Sequence, residues 1–154
     1  MDEGWDLEAI YREHGRTLWR SLFAYTGGRR DIADDAVSEA FARALVDPGR
    51  IRDPVPWLFR VSFRIAAAEM KREEKRAEVD EAIADPTDDV LPEILTALRQ
   101  LSPAQRAAVY LHYQADRPVA EVARLLETSS AAVKVHLFRG RQRLRRLLEE
   151  DVDD

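Results

Sequence analysis

The apolar positions of this chain recur every three or four residues almost from end to end. No stretch alternates with the period of two that a half-buried strand requires. Leu7, Ile10, Tyr11, His14, Leu18, Leu22 and Tyr25 predict a first helix over 5–26, which Gly27-Gly28 stops. Asp31 is placed to cap a second helix over about 32–46, with Asp34 and Asp35 near the positive end of its dipole. Asp47-Pro48-Gly49 ends that helix. Pro54 and Pro56 predict an extended entry, after which a third helix runs from Trp57 to about residue 76.

Residues 77–92 break the pattern. They are acidic, contain Pro86 and Pro92 and lack aromatics, which predicts a linker. Beyond it, Ile94, Leu95, Leu98 and Leu101 space out as a short amphipathic helix. Ser102-Pro103-Ala104-Gln105 has the form of a capping box, so the next helix starts at Pro103 and runs to about Gln114. Pro118 opens a short apolar helix, and Ser129 caps a long one after a polar break. The fold class expected is therefore all-α. Two small helical modules, 1–76 and 93–150, are joined by the acidic linker 77–92.

Charge alters what the last helix means. The whole chain is acidic, with a net charge of −5. Residues 1–76 balance 14 bases against 14 acids, and 77–95 hold seven acids and no base. Residues 96–148 hold ten bases and three acids, and the tail 149–154 adds five acids. The bulk pI of about 5.3 hides a basic block that suits a phosphate backbone. A solvated basic face that complements the helix dipole is the plainer reading of the same block.

A short helix, a polar break and a long basic helix form the layout of a helix-turn-helix. At about 100° per residue, Val133, Leu137, Gly140, Leu144 and Leu147 share one stripe that packs inward. Ala131, Lys134, Val135, Phe138, Arg139 and Gln142 lie on the far side. Phe138 either meets a thymine methyl or fills a side pocket of its own domain or a partner. In the third helix Arg60, Arg64, Lys71 and Lys75 share a stripe, and Trp57, Phe59 and Phe63 interleave with it. That mixture suits single-stranded nucleic acid, and it equally describes a wet basic face over an aromatic core. Asp35 and Glu39 share one face of the second helix, with Val37 and Phe41 supplying apolar surface. They either meet basic residues of a partner or only complement the helix N-terminus.

Taken in order, these segments resemble the extracytoplasmic-function group of bacterial RNA polymerase sigma factors, of the sigma-70-like superfamily. Residues 5–26 resemble the first helix of region two. Asp34-Asp35-Ala36-Val37-Ser38-Glu39-Ala40-Phe41 resembles the motif that binds the clamp helices of the polymerase beta-prime subunit. Pro56-Trp57-Leu58-Phe59-Arg60-Val61 through Lys71-Arg72 resembles the helix that melts and reads the minus-ten element. Leu98 to Leu148 resembles region four, which reads the minus-thirty-five element.

The resemblance implies a factor that binds core polymerase, at beta-prime and at the beta flap, and directs promoter recognition and transcription initiation. It implies polymerase contacts at Asp35, Val37, Glu39 and Phe41. Upstream-element contacts fall to Ser130, Lys134, Val135, His136, Phe138, Arg139 and Arg145. Downstream-element contacts fall to Trp57, Arg60, Phe63, Arg64 and Lys71. An anti-sigma factor is a further partner of the kind the family has. The acidic linker would pass through the RNA-exit path. The chain departs from the family where glycine is common in the helix-turn-helix turn and Glu127 stands instead. That turn must avoid a left-handed residue or strain it. His136, Arg64 and Glu69 also replace residues common in the family.

Other classes fit less of the chain. His14, His112 and His136 lie far apart, and there is no cysteine, so no metal site, cofactor or enzymatic function is expected. Gly27-Gly28-Arg29-Arg30 lacks the ending of a phosphate loop. The absence of cysteine, a basic leader and a long apolar run predicts a cytoplasmic protein without a membrane span. A dimeric helix-turn-helix regulator acting outside polymerase would explain residues 96–148 and leave 1–76 without a role. A protein-binding helical adaptor would need no clustered basic face. Two modules reading two different elements predict a monomer.

Overall fold

The computed structural model describes residues 5–76 and 92–152. Among them there are seven α-helices and no strand: α1 Leu7–Tyr25, α2 Arg30–Val46, α3 Pro54–Arg76, α4 Pro92–Arg99, α5 Pro103–Val109, α6 Val119–Leu125 and α7 Ser130–Val152. The expected acidic segment lies almost wholly outside the described residues.

Three helix starts differ from the expected ones, each for a local reason. The helix α1 begins at Leu7 because the Asp6 carboxylate accepts the Ala9 N–H at 3.0 Å. The helix α2 begins at Arg30, and Asp31 is not its cap but a first-turn residue. The Asp31 carboxylate is drawn instead to Arg29, at 2.8 Å, and this pairing holds it below the usual aspartate range. The Arg29 guanidinium also grips Glu73 of α3, with Nη2 2.8 Å from Oε1, so it ties the start of α2 to α3. The helix α3 begins at Pro54 rather than Trp57. Its first backbone bond runs from the Trp57 N–H to the Asp53 carbonyl at 3.2 Å. The prolines at its first and third positions forfeit nothing, since those N–H groups have no intrahelical acceptor.

The capping box forms as expected. Ser102 accepts the Gln105 N–H, and the Gln105 side chain accepts the Ser102 N–H, both at 3.2 Å. The helix α5 then widens into a π turn over Tyr110–Gln114.

Helices α1, α2 and α3 pack on one another, and α5 and α6 pack on α7. Of the stripe the periodicity indicates, Val133, Leu137 and Gly140 are buried and Leu144 and Leu147 are half-buried. Gly140 is required there, because a β-carbon would stand 2.8 Å from Cγ2 of Val109. The two groups also meet each other, α1 against α5 and α3 against α6. One apolar cluster runs through both, from Leu18, Leu22 and Phe59 to Leu111, Val122 and Leu125. Full burial of a leucine or phenylalanine side chain contributes about 1.5–3 kcal/mol.

Two helices end in the same way. After α1, Gly28 N–H donates to Phe23 and Gly27 N–H to Ala24. After α6, Thr128 N–H donates to Ala123 and Glu127 N–H to Arg124. Both are Schellman endings, whose pivotal residue takes a left-handed conformation. Gly27 does so at φ 73° and Glu127 at φ 56°. The turn therefore contains the left-handed residue and bears its strain, about 1 kcal/mol for a residue with a β-carbon. Replacing Glu127 by Gly or by Ala removes the same side chain and differs only in this backbone cost. Glu127→Gly is expected to be more stable than Glu127→Ala by about 1 kcal/mol in urea denaturation of the full chain. Equal midpoints would show that the turn is not strained.

Candidate nucleic-acid and partner-binding faces

The outer face of α2 carries Asp35, Ser38, Glu39, Ala42, Leu45 and Val46, all exposed. Glu39 accepts from Arg43 one turn on, at 2.7 Å. Asp34 is occupied by α1, its carboxylate accepting from Trp19 Nε1 at 2.6 Å. Val37 points inward and is buried. Phe41 is half-buried and meets Tyr11 edge-on, with ring centroids 5.3 Å apart. The face begins acidic and ends apolar, with Val46 84% exposed. Leu45 and Val46 stand outside the acidic motif of the sequence, although their phase on α2 puts them beside the same stripe.

On α3 the cations and rings separate. Phe59 and Phe63 are buried, 6.4 Å apart and stacked, and Phe63 also packs on Tyr25 at 5.0 Å. Phe63 thus lies beneath the basic face and not on it. Trp57 and Arg60 are half-buried, and Arg64 and Lys71 are exposed. The side chain of Lys75 lies outside the described set.

The long helix α7 presents Ser130, Lys134, Val135, Phe138, Arg139 and Arg145 to solvent, while His136 is half-buried. Phe138 is 55% exposed, so no pocket of its own domain takes it. Ser129 accepts the Ala132 N–H at 3.0 Å and caps the helix.

These faces are not independent. Arg64 of α3 forms a two-pronged ion pair with Glu127, the turn residue of the helix-turn-helix, with Nε 2.6 Å from Oε2. Arg117 lies over the Phe59 ring, 6.0 Å from its centroid. At the far side of the seam, Arg99 Nε donates to the Gly27 carbonyl at 2.7 Å. Arg106 is only 8% exposed there, and its Nε has no hydrogen-bond partner among the described residues. Burial pushes its guanidinium below the usual range, against the favourable influence of Tyr25. Gly27 has a second reason to lack a side chain here, since a β-carbon would lie 3.1 Å from Arg106 Nη1. Sequence reading missed this seam because nothing in a linear pattern pairs residues 64 and 127.

Comparison with known proteins places both groups of helices. The sigma-70 region 2 family model matches residues 10–76, and the sigma-70 region 4 model matches 91–144. The chain is 31% identical to the ECF RNA polymerase sigma factor BldN of Streptomyces coelicolor, over 92% of this chain and 60% of that one. It thus spans less than two thirds of that relative. It is also 31% identical to the ECF RNA polymerase sigma factor SigM of Mycobacterium tuberculosis, over 92% of this chain and 76% of that one. In fold it is similar to the sigma factor RpoE of Bartonella quintana, solved in complex with the anti-sigma factor NepR. The TM-score is 0.79 at 18% identity, covering 94% of this chain and 97% of the other. A region 2 match followed by a region 4 match, on a chain of this similarity to named relatives, identifies the group: this protein belongs to the ECF RNA polymerase sigma factors.

Proposed function

We propose that this protein binds core RNA polymerase through the α2 face and directs it to promoters, reading an upstream element with α7 and holding a melted strand along α3. The observation that carries this is the exposed face of α7. Lys134, Phe138, Arg139 and Arg145 lie outside the inward stripe, whose Val133 and Leu137 are buried, in a capped helix-turn-helix. Cations give affinity for phosphates, and an exposed ring beside them gives apolar contact to a base edge. The clamp helices of beta-prime would meet Asp35 and Glu39, with Leu45, Val46 and the Phe41 edge as apolar surround. Val37 supports this surface from below. The beta flap would take the second module. An anti-sigma factor is a further partner, as it is for the RpoE of similar fold. Catalysis belongs to the polymerase. The factor acts as one copy, in the cytoplasm.

On α3, Arg60, Arg64 and Lys71 would follow phosphates of the unpaired strand, and half-buried Trp57 is the ring nearest to serving a base. Phe63 contributes by holding the helix. The two modules read elements about 25 base pairs apart, on the order of 80 Å along B-form DNA. A compact chain of 154 residues has a radius of gyration of about 15 Å. The modules therefore separate on the polymerase, and the Arg64–Glu127 pair breaks, which frees Arg64 for nucleic acid.

Asp35→Lys with Glu39→Lys is expected to weaken core-polymerase binding by roughly tenfold or more, about 1.4 kcal/mol. Circular dichroism should show the helices intact, with only the small cost of placing Lys beside Arg43. Wild-type affinity in the folded double variant removes the α2 assignment.

Holoenzyme binding to a run-off-mapped promoter separates the two kinds of contact on α7. Arg139→Ala is expected to cost about 1–3 kcal/mol and to relax preference at one base position. Arg145→Ala should weaken all sequences alike, as loss of a phosphate contact does. Uniform losses in both variants would make α7 an electrostatic anchor without base reading.

A further inference from the structure

One polar pair on the DNA-facing side belongs to none of these assignments. Tyr113 lies in the π turn that closes α5. In a regular α-helix, a residue three after Tyr110 and four after Val109 would share their buried face. Both of those are buried, but the turn is widened, with Ala115 N–H donating to the Tyr110 carbonyl at 3.1 Å. Tyr113 emerges 46% exposed. A π turn inserts one residue and re-aims the side chains beyond it, and such turns concentrate at functional sites.

The Tyr113 hydroxyl accepts from Arg141 Nη1 of α7 at 2.6 Å. The ring is itself held. His112 meets it edge-on, with centroids 4.8 Å apart, and His112 Nδ1–H donates to the Arg117 carbonyl at 2.9 Å. Arg141 is seven residues after Lys134, three after Phe138 and four before Arg145, so all four share one side of α7. All four are exposed.

The choice of acceptor is informative. A carboxylate would hold Arg141 more firmly, through a charge-assisted bond. It would also cancel the positive charge that a phosphate needs. A neutral hydroxyl fixes the guanidinium, engages one of its five N–H donors and leaves the charge intact. The rotamer entropy of a long arginine side chain is then lost before binding and not during it.

We infer that Tyr113 is a positioning residue for promoter binding: it holds the Arg141 guanidinium ready for a DNA phosphate at the edge of the recognition helix. This rests on the reading that α7 enters duplex DNA.

The test uses holoenzyme on a run-off-mapped promoter fragment, with affinity measured across a series of salt concentrations. Tyr113→Phe keeps the ring and the arginine charge. It is expected to weaken binding several-fold without changing the slope of log affinity against log salt. Arg141→Ala is expected to weaken binding further and to reduce that slope by about 1. In the Arg141→Ala background, Tyr113→Phe should have no further effect, and melting temperatures should not differ between Arg141→Ala and the double variant. An equal loss from Tyr113→Phe in both backgrounds would make the tyrosine merely structural and overturn the inference. So would wild-type affinity and slope in Arg141→Ala. Lys134→Ala and Arg145→Ala mark the underlying reading. If they weaken binding while Arg141→Ala does not, only this inference fails. If none of the three matters, the placement of α7 in DNA fails with it.

Discussion

The two faces proposed for nucleic acid are held within an ion pair of each other. Arg64 on α3 and Glu127 in the helix-turn-helix turn are joined across the seam, and the proposed function requires the rest of the molecule to be compatible both with that closure and with its loss. The seam is a compromise. Apolar side chains on both sides join in one cluster, and Arg117 lies over Phe59. Against this stands Arg106, buried with an Nε that has no partner among the described residues. Desolvation of a guanidinium opposes the arrangement that buries it. The Arg64–Glu127 pair is at the surface, where ion pairs are weak and screened by salt. An interface built this way closes the chain and, on the proposed function, would open at modest cost when a larger surface competes for either side.

The same economy appears in the backbone. The chain ends α1 and α6 with one motif and fills the left-handed position differently, with Gly27 in one and Glu127 in the other. At Gly27 any side chain would meet Arg106, so glycine serves the turn and the seam together. At position 127 glycine would serve the turn alone. Glutamate bears the conformational strain and in exchange reaches Arg64. The departure from the family's common glycine thus coincides with the contact between the modules.

Much of the fold was legible because helices announce themselves locally. The stripe Val133, Leu137 and Gly140, the Ser102–Gln105 capping box and the Ser129 cap all follow from spacing and side-chain chemistry within one turn. Helix starts were less legible. Prolines 54 and 56 signal an extended entry and a helical first turn equally well, and the Asp31 carboxylate pairs with Arg29 from inside the first turn. The sites divided in the same way. Exposed Lys134, Phe138 and Arg139 follow from phase relative to a buried stripe. Phe63 and Val37 did not, because a family motif names residues without saying which ones support the surface from below. The π turn that frees Tyr113, and the pairing of residue 64 with residue 127, depend on tertiary packing that no linear pattern carries.

Membership of the ECF sigma factors accounts for both groups of helices at once, where a dimeric helix-turn-helix regulator would leave α1, α2 and α3 without a task. The central claim is that closure in the free chain gives way to separation on the polymerase. The chain has no cysteine, so spin labels can be placed at Ala68→Cys on α3 and Gln142→Cys on α7, both exposed positions. Pulsed electron-spin distance measurement should give a short, narrow distribution in the free protein. Adding core RNA polymerase should move it beyond roughly 50 Å, the scale that two promoter elements impose. The same short distribution in both states would contradict the account.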